Sequence, residues 1–433
     1  MPRYYGTAAR MLGVTENHIL GPADELLKKS GEAAGIGNTF YCTRVGIFQL
    51  AGEPPNKTFP DPFFGGAGPP RTTCNACGGC IMGCRYGAKN TLDLNYLYLA
   101  EKFGAQVFPE TKVVEVKPLS GFVDGSAGYE IRTVKSTAWI RRAARKFTCR
   151  GVVFSASSLG TMELLFHLKE NGSLPAISTR LGKQVRTNSE SIIGARVPGC
   201  SKDLSEGIAI GSGIYIDEHT HIEAVRYPRG SDTMSFLTTM LTDGRPGARR
   251  VGLWCRNVLS SMLLHPIKTL RLFSPVGWAR ESTILLCMQA VEGHIEMKWR
   301  RRWLWPFSKT LVSRGDKVPT YIPNANRFAR KFAQVAGGTA MNMLPEILFD
   351  IPGTAHCIGG CVMADSPEHG VVDSHQRVFG YRNMYICDGS VLAANLGVNP
   401  SLTITALSER AMSFITPAAS TSWNGTAQVK LLG

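Results

Sequence analysis

Apolar and polar residues alternate with two different periods along this chain of 433 residues. Apolar residues that recur every three or four positions predict helices at 23–34, 92–103, 161–168, 243–264 and 324–336. Strict alternation predicts strands at 45–48, 106–108, 113–117, 129–134, 147–156, 206–218, 221–226, 283–292 and 294–300. The long alternating segments after residue 194 indicate a mainly antiparallel sheet with helices between its strands.

One strand runs directly into a helix through a turn of small residues. The predicted strand 147–156 ends in Ser155-Ala156-Ser157-Ser158-Leu159-Gly160, and a helix follows from Thr161. This order is typical of the βα unit of a doubly wound sheet, in which ligands lie at the carboxyl edge of the strands. Tight packing of a helix on a strand, without any ligand, is the alternative. The pattern as a whole predicts an α/β fold.

The segment 353–411 has the features of a functional site. His356 stands in a loop of small residues, an apolar strand at 383–387 ends in Asp388-Gly389-Ser390, and Gly397-Val398-Asn399-Pro400 opens an alanine-rich helix. The unpaired backbone N–H groups of a helix N-terminus suit the anionic or electron-rich part of a cofactor. The alternatives are structural: Asp388 caps a turn, Asn399 caps the helix, and His356 is an ordinary buried histidine.

The net charge of +15 is concentrated at 141–146, 245–256 and 298–309. These segments match no nucleic-acid-binding module, so we expect no nucleic acid, and an anionic membrane surface or a cofactor phosphate explains the charge better. Residues 298–307 mix arginine with tryptophan, as interfacial membrane segments do, and peripheral membrane contact is therefore a hypothesis. A solvated hairpin is the alternative.

Twelve cysteines and the absence of a secretory signal or a membrane-spanning run predict an intracellular protein, cytoplasmic or loosely membrane-associated. Cys74-x-x-Cys77-x-x-Cys80-x-x-x-Cys84 has ferredoxin spacing, although Arg85 replaces the proline that follows in ferredoxins. Such a run predicts a [4Fe–4S] cluster or a structural zinc, with buried free thiols as the alternative. Alternating Asp217, His219, His221 and Glu223 form a second polar set, which is typical of a metal site or of an exposed strand face.

Several of these motifs together resemble the glucose–methanol–choline family of flavin oxidoreductases, and most closely its cholesterol-oxidase-like branch. The resemblance is carried by Ala355-His356-Cys357-Ile358-Gly359-Gly360-Cys361, Gly370-Val371-Val372-Asp373, Arg377-Val378-Phe379-Gly380, Asp388-Gly389-Ser390 and the run Gly397–Ala406. Weaker matches cover 87–97, 111–116 and 153–165. The similarity extends over most of residues 75–195 and 340–415.

The resemblance implies FAD as cofactor and oxidation of a bulky secondary alcohol, for which 3β-hydroxysterols are the family's example. His356 matches the active-site histidine that hydrogen-bonds the substrate hydroxyl or takes its proton while hydride passes to the flavin. Asn399 matches the asparagine beside the substrate oxygen and the flavin. The predicted FAD contacts are Asp388, Gly389, Asn399, Pro400 and Ser401 at the flavin, and the backbone of Val113 at the adenine part. Glu281 lies near the position of the carboxylate with which some members move a steroid double bond.

Two departures from the family pattern keep other hypotheses open. The N-terminal βαβ unit with G-x-G-x-x-G is absent, which predicts an N-terminally truncated chain with an incomplete flavin domain. The cysteine run has no counterpart in the secreted members. Alternatives to an oxygen-dependent sterol oxidase are therefore an inactive sterol- or membrane-binding fragment, and a dehydrogenase passing electrons through an iron–sulfur cluster. The oligomeric state is left open.

The resemblance also predicts the domain organisation. Residues 1–86 are expected to form part of the substrate domain with the Cys-rich loop, 87–194 part of the FAD-binding domain, 195–374 the substrate-binding domain, 375–416 a C-terminal FAD-binding segment, and 417–433 a tail.

Overall fold

The computed structural model describes residues 1–139, 143–301, 309–315 and 318–416, together with 430–431. Most of the predicted tail and most of the basic, tryptophan-rich segment at 298–307 therefore lie outside the described residues. In the described part of the chain, the helices are α1 Pro2–Met11, α2 Pro22–Ala33, α3 Tyr96–Lys102, α4 Ser157–Glu170, α5 Ala248–Leu264, α6 Pro266–Phe273, α7 Trp278–Glu281, α8 Pro323–Ala336, α9 Leu344–Leu348 and α10 Ser401–Met412.

The strands are numbered in the same way. They are β1 Thr15–Glu16, β2 Phe40–Cys42, β3 Arg44–Val45, β4 Thr58–Phe59, β5 Arg71–Thr72, β6 Thr111–Pro118, β7 Tyr129–Lys135, β8 Ala144–Cys149, β9 Val152–Phe154, β10 Lys183–Arg186, β11 Ser191–Arg196, β12 Ile210–Asp217, β13 Thr220–Val225, β14 Thr238–Met240, β15 Ser282–Gln289, β16 Ile295–Arg301, β17 Lys309–Gly315, β18 Thr339–Met343, β19 Ile358–Gly360, β20 Met384–Ile386 and β21 Lys430–Leu431.

A seven-stranded antiparallel sheet, in the order β14-β18-β11-β15-β13-β12-β2, dominates the second half of the chain. Helices α2 and α8 cover one of its faces. Helix α8 presents a stripe of buried apolar residues at helical spacing, which packs with the inward residues of β11, β13 and β15: Ala325, Phe328, Ala329, Phe332 and Ala333. This confirms the prediction of an α/β fold with a mainly antiparallel sheet, because burying one helix stripe and one sheet face creates a single core.

The predicted strand–turn–helix is present, but its strand is shorter than the alternation indicated. Strand β8 ends at Cys149 and pairs with β7. After Gly151 the chain changes partner, and β9 pairs in parallel with β20. The predicted strand at 106–108 does not form, since it runs into Pro109, which cannot donate to a ladder.

A second apolar core lies between this parallel pair, α4 and the sheet formed by β6, β7 and β8. It also contains Ile358, Cys361, Val371 and Val372, which the domain prediction placed in the substrate domain. The packing therefore joins 358–372 to the 375–416 segment, while the domain boundaries themselves stay a prediction. No helix in the described ranges combines the length and the apolar character needed to cross a bilayer.

A buried ion pair fixes α2 on the large sheet. Arg226 Nη2 lies 2.6 Å from Asp24 Oδ1, and both side chains are fully buried. The Asp24 carboxylate also accepts hydrogen bonds from Gly21 N at 2.8 Å and from Ser212 Oγ at 2.6 Å. Removing one member of such a pair leaves an uncompensated charge in the interior.

We therefore expect Asp24→Ala to lower the free energy of unfolding by about 3–5 kcal/mol, measured by urea denaturation. The neighbouring Glu25 is the matched control, because its pair with Lys202 is exposed to solvent. Glu25→Ala should cost less than about 1 kcal/mol. Equal losses of unfolding free energy in the two variants would contradict a stabilising role of the Asp24–Arg226 pair.

Candidate active site

His356 and Asn399 line the same cleft, which has a volume of about 680 Å³. Most of its wall is apolar, and the floor is formed by the start of α10. The apolar lining residues come from the N-terminal segment, the Cys-rich loop, β12 and α10: Leu12, Val14, Val45, Ile47, Ile81, Ile210, Leu402 and Ile404. A concave apolar cleft with a few convergent polar groups is the usual form of a small-molecule site.

The imidazole of His356 is held from behind by a buried glutamate. Nδ1 of His356 contacts Oε1 of Glu190, and the backbone N–H of Ala355 donates to Oε2 of the same carboxylate at 3.2 Å. Glu190 is 1% exposed and stands immediately before β11. A carboxylate bonded to Nδ1 fixes both the ring orientation and the tautomer, and Nε2 is left as the basic nitrogen.

Asn399 is held by a second buried glutamate. Its Nδ2 donates to both carboxylate oxygens of Glu223, at 3.1 and 2.9 Å. Glu223 lies on β13 and is 4% exposed. Burial raises the pKa of the Glu223 carboxyl, against the opposing effects of the Asn399 hydrogen bond and of nearby His356. The side chain of Asn399 therefore belongs to the site and does not cap α10, whose N-cap is Pro400.

Strand register explains why the two glutamates lie close together. Glu223 is opposite Leu286 on β15, and Ser191 is opposite Cys287 on the other side of that strand. The register places Glu190 one position further along, so the two glutamates point to the same face of the sheet. The opposite face carries the core under α2 and α8.

Glycines allow the two loops of the site to approach the sheet. Gly397 has φ +63°, and a Cβ there would lie 2.7 Å from Cβ of Ala290. Gly359 has φ +76°, and its Cβ would lie 2.1 Å from the carbonyl oxygen of Gln184. A side chain at either position would push Asn399 or His356 away from its glutamate.

The N-terminus of α10 opens into the cleft without a side-chain cap. Ser401 and Leu402 line the cleft, and no described side chain accepts from the first turn of this helix. The first backbone N–H groups of a helix are hydrogen-bond donors at the positive end of its dipole. The residues present therefore fit an electron-rich ring carbonyl, such as that of a flavin, at this point.

Asp388 and Gly389 lie beside α4 and α10. Asp388 follows β20, and its carboxylate accepts from Ser390 N at 2.9 Å and from Thr161 Oγ1 of α4 at 2.5 Å. It caps a turn, as the structural alternative had it, and it also ties the turn to α4. The side chain is buried, so its direct contact with a cofactor stays a prediction.

Val113 lines a second cleft, of about 740 Å³, between β6, β9 and α4. This cleft shares no lining residue with the one at His356. Contact of Val113 with FAD stays a prediction.

Glu281, predicted near the carboxylate that moves a steroid double bond, is not among the residues that line this cleft. Its carboxylate accepts from Gly199 N at 2.8 Å and pairs with Arg196 Nη2 at 3.2 Å. Leu286, the partner of Glu223, is five residues further along, about 17 Å at the rise of a strand. The buried arginine, rather than a substrate, accounts for the position of Glu281.

The four cysteines of the loop 74–84 do not form a recognisable metal centre. In the ranges that the structure describes, no three or more His, Cys, Asp or Glu side chains are grouped as metal ligands. Cys74, Cys80 and Cys84 pack instead against the apolar Ile47, Ala88 and Ile208. Burial raises the pKa of Cys74 to about 11, whereas backbone N–H groups outweigh burial and lower that of Cys84. The iron–sulfur or zinc prediction thus gains no support from the structure.

His221 was singled out as part of a polar strand face, but it belongs to the surroundings of Glu223. Its Nε2 lies 3.9 Å from Oε1 of Glu223, and burial lowers its pKa to about 4. Tyr41 and Tyr215 pack against its ring. The side chain is therefore neutral at neutral pH, and it adds no positive charge that would favour the carboxylate form of Glu223.

A further buried glutamate supports the strand that follows Glu190. Burial raises the pKa of Glu346 to about 7 from its ordinary 4.5, although Ile192 N donates to it and Arg250 lies near. The Ile192 N–H reaches Oε1 of Glu346 at 3.0 Å, and Ser191 Oγ reaches Oε2 at 3.3 Å. Glu346 thus holds the first residues of β11 in place behind His356.

The sequence is similar to those of two bacterial proteins named cholesterol oxidase. The protein from Acinetobacter baumannii is 56% identical over 416 residues, which cover 96% of this chain and 74% of that protein. Residues 325–408 match the family described as GMC oxidoreductase. The chain belongs to the GMC oxidoreductase family. The protein from Mycobacterium tuberculosis strain H37Rv is 45% identical over 419 residues, covering 95% of this chain and 71% of that protein.

A solved structure agrees with the fold of this GMC oxidoreductase. An FAD-dependent oxidoreductase from Chaetomium thermophilum superposes with a TM-score of 0.51 at 12% identity, covering 92% of this chain and 72% of that one. At this identity the likeness concerns the fold alone.

The raised pKa of Glu346 predicts how the stability of this GMC oxidoreductase depends on pH. Between about pH 4.5 and 7 the folded protein holds a proton that the unfolded chain releases, so the Glu346 contribution to stability decreases as pH rises through this window. As pH rises through this window, the free energy of unfolding of the wild type should fall by about 3 kcal/mol relative to that of Glu346→Gln. Urea denaturation at several pH values measures this difference. The control is Glu101→Gln at an exposed position, which should keep the wild-type slope. An unchanged slope in Glu346→Gln would contradict the assignment.

Proposed function

We propose that this chain oxidises the 3β-hydroxyl group of a sterol to a ketone, with FAD as hydride acceptor and oxygen as the final electron acceptor. The observation that carries the proposal is the pairing of His356 and Asn399 in one apolar cleft, each fixed by a buried glutamate. Family membership supports FAD, and the names of the two bacterial relatives support a sterol and oxygen.

Two groups of residues would hold FAD. The free N-terminus of α10 at Ser401 and Leu402 would receive the flavin ring, and the cleft at Val113 would receive the adenine end. When bound, FAD supplies an acceptor for the hydride that leaves the carbinol carbon.

His356 takes the proton of the substrate hydroxyl. Because Glu190 occupies Nδ1, the free Nε2 is the nitrogen that can accept this proton. The contact of Nδ1 with Glu190 would also stabilise the imidazolium that forms. Proton removal leaves an alkoxide character at the oxygen, and this favours departure of the hydride from the adjacent carbon.

Asn399 positions the substrate oxygen without competing for its proton. An amide has no basic site near neutral pH, and it offers N–H donors to an oxygen. Glu223 accepts from Nδ2 and so fixes the side chain at the mouth of α10. The substrate oxygen is thereby held between a base and a neutral donor.

Glu223, rather than Glu281, is the carboxylate that moves a steroid double bond. It is buried beside Asn399, and burial raises the pKa of its carboxyl, which suits a group that must both accept and return a proton. It would remove a proton from the carbon between the new ketone and the double bond. It would then return that proton to the far end of the double bond, giving a conjugated ketone.

The apolar walls of the cleft match a rigid fused-ring alcohol. Burial of a hydrocarbon ring system against these aliphatic side chains is favourable by about 25 cal/mol per Å². A sterol presents one polar atom at one end, and the cleft places His356 and Asn399 together to meet it.

For His356→Ala we expect unchanged flavin absorbance and a fall of about 10²–10⁴-fold in kcat/KM for sterol oxidation, because the general base is lost. The control is His369→Ala, a histidine that is 70% exposed and paired with Asp365. Full turnover in His356→Ala would refute its role. A folded wild-type protein that takes up no flavin when incubated with FAD would refute the whole proposal.

For Glu223→Gln we expect sterol oxidation to continue while the product keeps its double bond unshifted, measured by the ultraviolet absorbance of the conjugated ketone. The comparison variant is Glu281→Gln, which should form conjugated ketone in the wild-type proportion. The reverse result would return the role to Glu281 and overturn the structural assignment.

A further inference from the structure

The corner between α5 and α6 exposes a large group of aliphatic side chains. Leu263 is 75% exposed, Leu264 is 73% exposed and Ile267 is 69% exposed. The neighbouring Leu259, Leu270 and Val276 are exposed as well. Single exposed leucines are ordinary, but a contiguous group of this kind indicates an interaction surface. We call these six residues the apolar corner.

The apolar corner is not the packing face of these helices. On its inner side α5 buries Arg250, whose guanidinium donates to the carbonyl oxygen of Thr242 at 3.3 Å and to that of Thr320 at 3.2 Å. The indole of Trp254 donates to Thr239 Oγ1 at 2.8 Å. The inner face is thus fixed to the protein, and the leucines point the other way.

The two helices are also fixed to each other. Ser261 Oγ and Thr269 Oγ1 are 2.7 Å apart. Thr269 and Leu272 on α6 are buried. Pro266 at the start of α6 stiffens the turn. The apolar corner is therefore presented by a rigid hairpin and not by a loose loop.

Positive charge surrounds the apolar corner. Between Gly244 and Arg280 the sequence has seven lysines and arginines and no aspartate or glutamate. Arg249, Arg256, Leu259 and Leu263 recur at helical spacing on the outer side of α5, and all four are exposed. Lys268 and Arg271 are exposed on α6. The long stems of these cations can lie along an apolar surface while their charges reach outward.

We propose that the apolar corner inserts into the headgroup region of an anionic phospholipid bilayer, with the surrounding cations on the lipid phosphates. Exposed leucines ringed by arginine and lysine are the composition of an interfacial membrane helix. Anionic lipid attracts such cations at close range. A second copy of the chain is the poorer occupant, because two like faces would bring the same cations together without an acidic partner.

Only the biological reason for docking rests on the proposed function. A sterol dissolves in the bilayer and not in water, so an oxidase that docks on the surface meets its substrate there. The docking itself depends on the apolar corner and its charges, and it can be tested without any turnover.

The test is co-sedimentation of the full chain with vesicles of phosphatidylcholine alone or with about one third phosphatidylglycerol. We expect wild type to bind the anionic vesicles. The triple variant Leu263→Gln, Leu264→Gln, Ile267→Gln should bind them with an affinity at least about tenfold lower. The double variant Arg256→Gln, Lys268→Gln should lose the preference for anionic over neutral vesicles. The control variant replaces three exposed apolar residues elsewhere, Phe103→Gln, Val107→Gln, Val123→Gln, and should bind like wild type.

Equal binding by wild type and the triple variant would overturn the proposal. The proposal would also be overturned if wild type bound neither kind of vesicle but self-associated in sedimentation, since the apolar corner would then face a second copy. Oxidation of detergent-dispersed sterol should be equal in wild type and triple variant, whereas oxidation of vesicle-held sterol should fall. If no preparation oxidises any sterol, the proposed function fails, and the vesicle binding still decides the docking.

Discussion

Two buried carboxylates determine the arrangement of the candidate active site. Glu190 and Glu223 both lie in the interior of the protein, where an unpaired ionised carboxylate is strongly unfavourable. Each is compensated by one polar side chain from a distant loop, His356 in the first case and Asn399 in the second. Because a buried carboxyl group without hydrogen-bond partners is unfavourable, these contacts fix the two loops on the sheet and hold the catalytic candidates with them.

The large antiparallel sheet makes this arrangement rigid. Both glutamates lie beside β15, with Glu223 on β13 and Glu190 immediately before β11, and they share the face opposite to the core under α2 and α8. Asn188 Nδ2 donates to the carbonyl oxygen of Val398 at 2.9 Å, and Asn395 Nδ2 donates to the carbonyl oxygen of Gln289 at 2.8 Å. The loop that ends in Asn399 is therefore fixed at several points. Because the core already stabilises this sheet, its residues can hold a proton acceptor in position without reorganisation of the site.

How far the sequence predicts this site depends on how local each signal is. The helix 324–336 and the strand–turn–helix near Ser157 are local patterns, and they form nearly where the periodicity placed them. His356 and Asn399 were found because their loops resemble a family motif. Glu190 and Glu223 carry no such motif: β13 is buried on both faces, so its alternation does not mark an inward glutamate. Their significance arises from strand register, which one sequence does not reveal.

The cysteine run and Glu281 show that residue type and spacing alone can predict a site that the structure does not support. Spacing alone suggested a metal at 74–84, but three of the four thiols pack among aliphatic residues. A nearby alignment suggested Glu281, but Arg196 is buried and requires a carboxylate at that end of β15. In both cases the residue type fits the chemistry but the surroundings add no support for it, and both assignments stay predictions. The surroundings therefore separate the two candidate carboxylates: Glu223 accepts hydrogen bonds from Asn399, which lines the cleft, whereas Glu281 pairs with the buried Arg196.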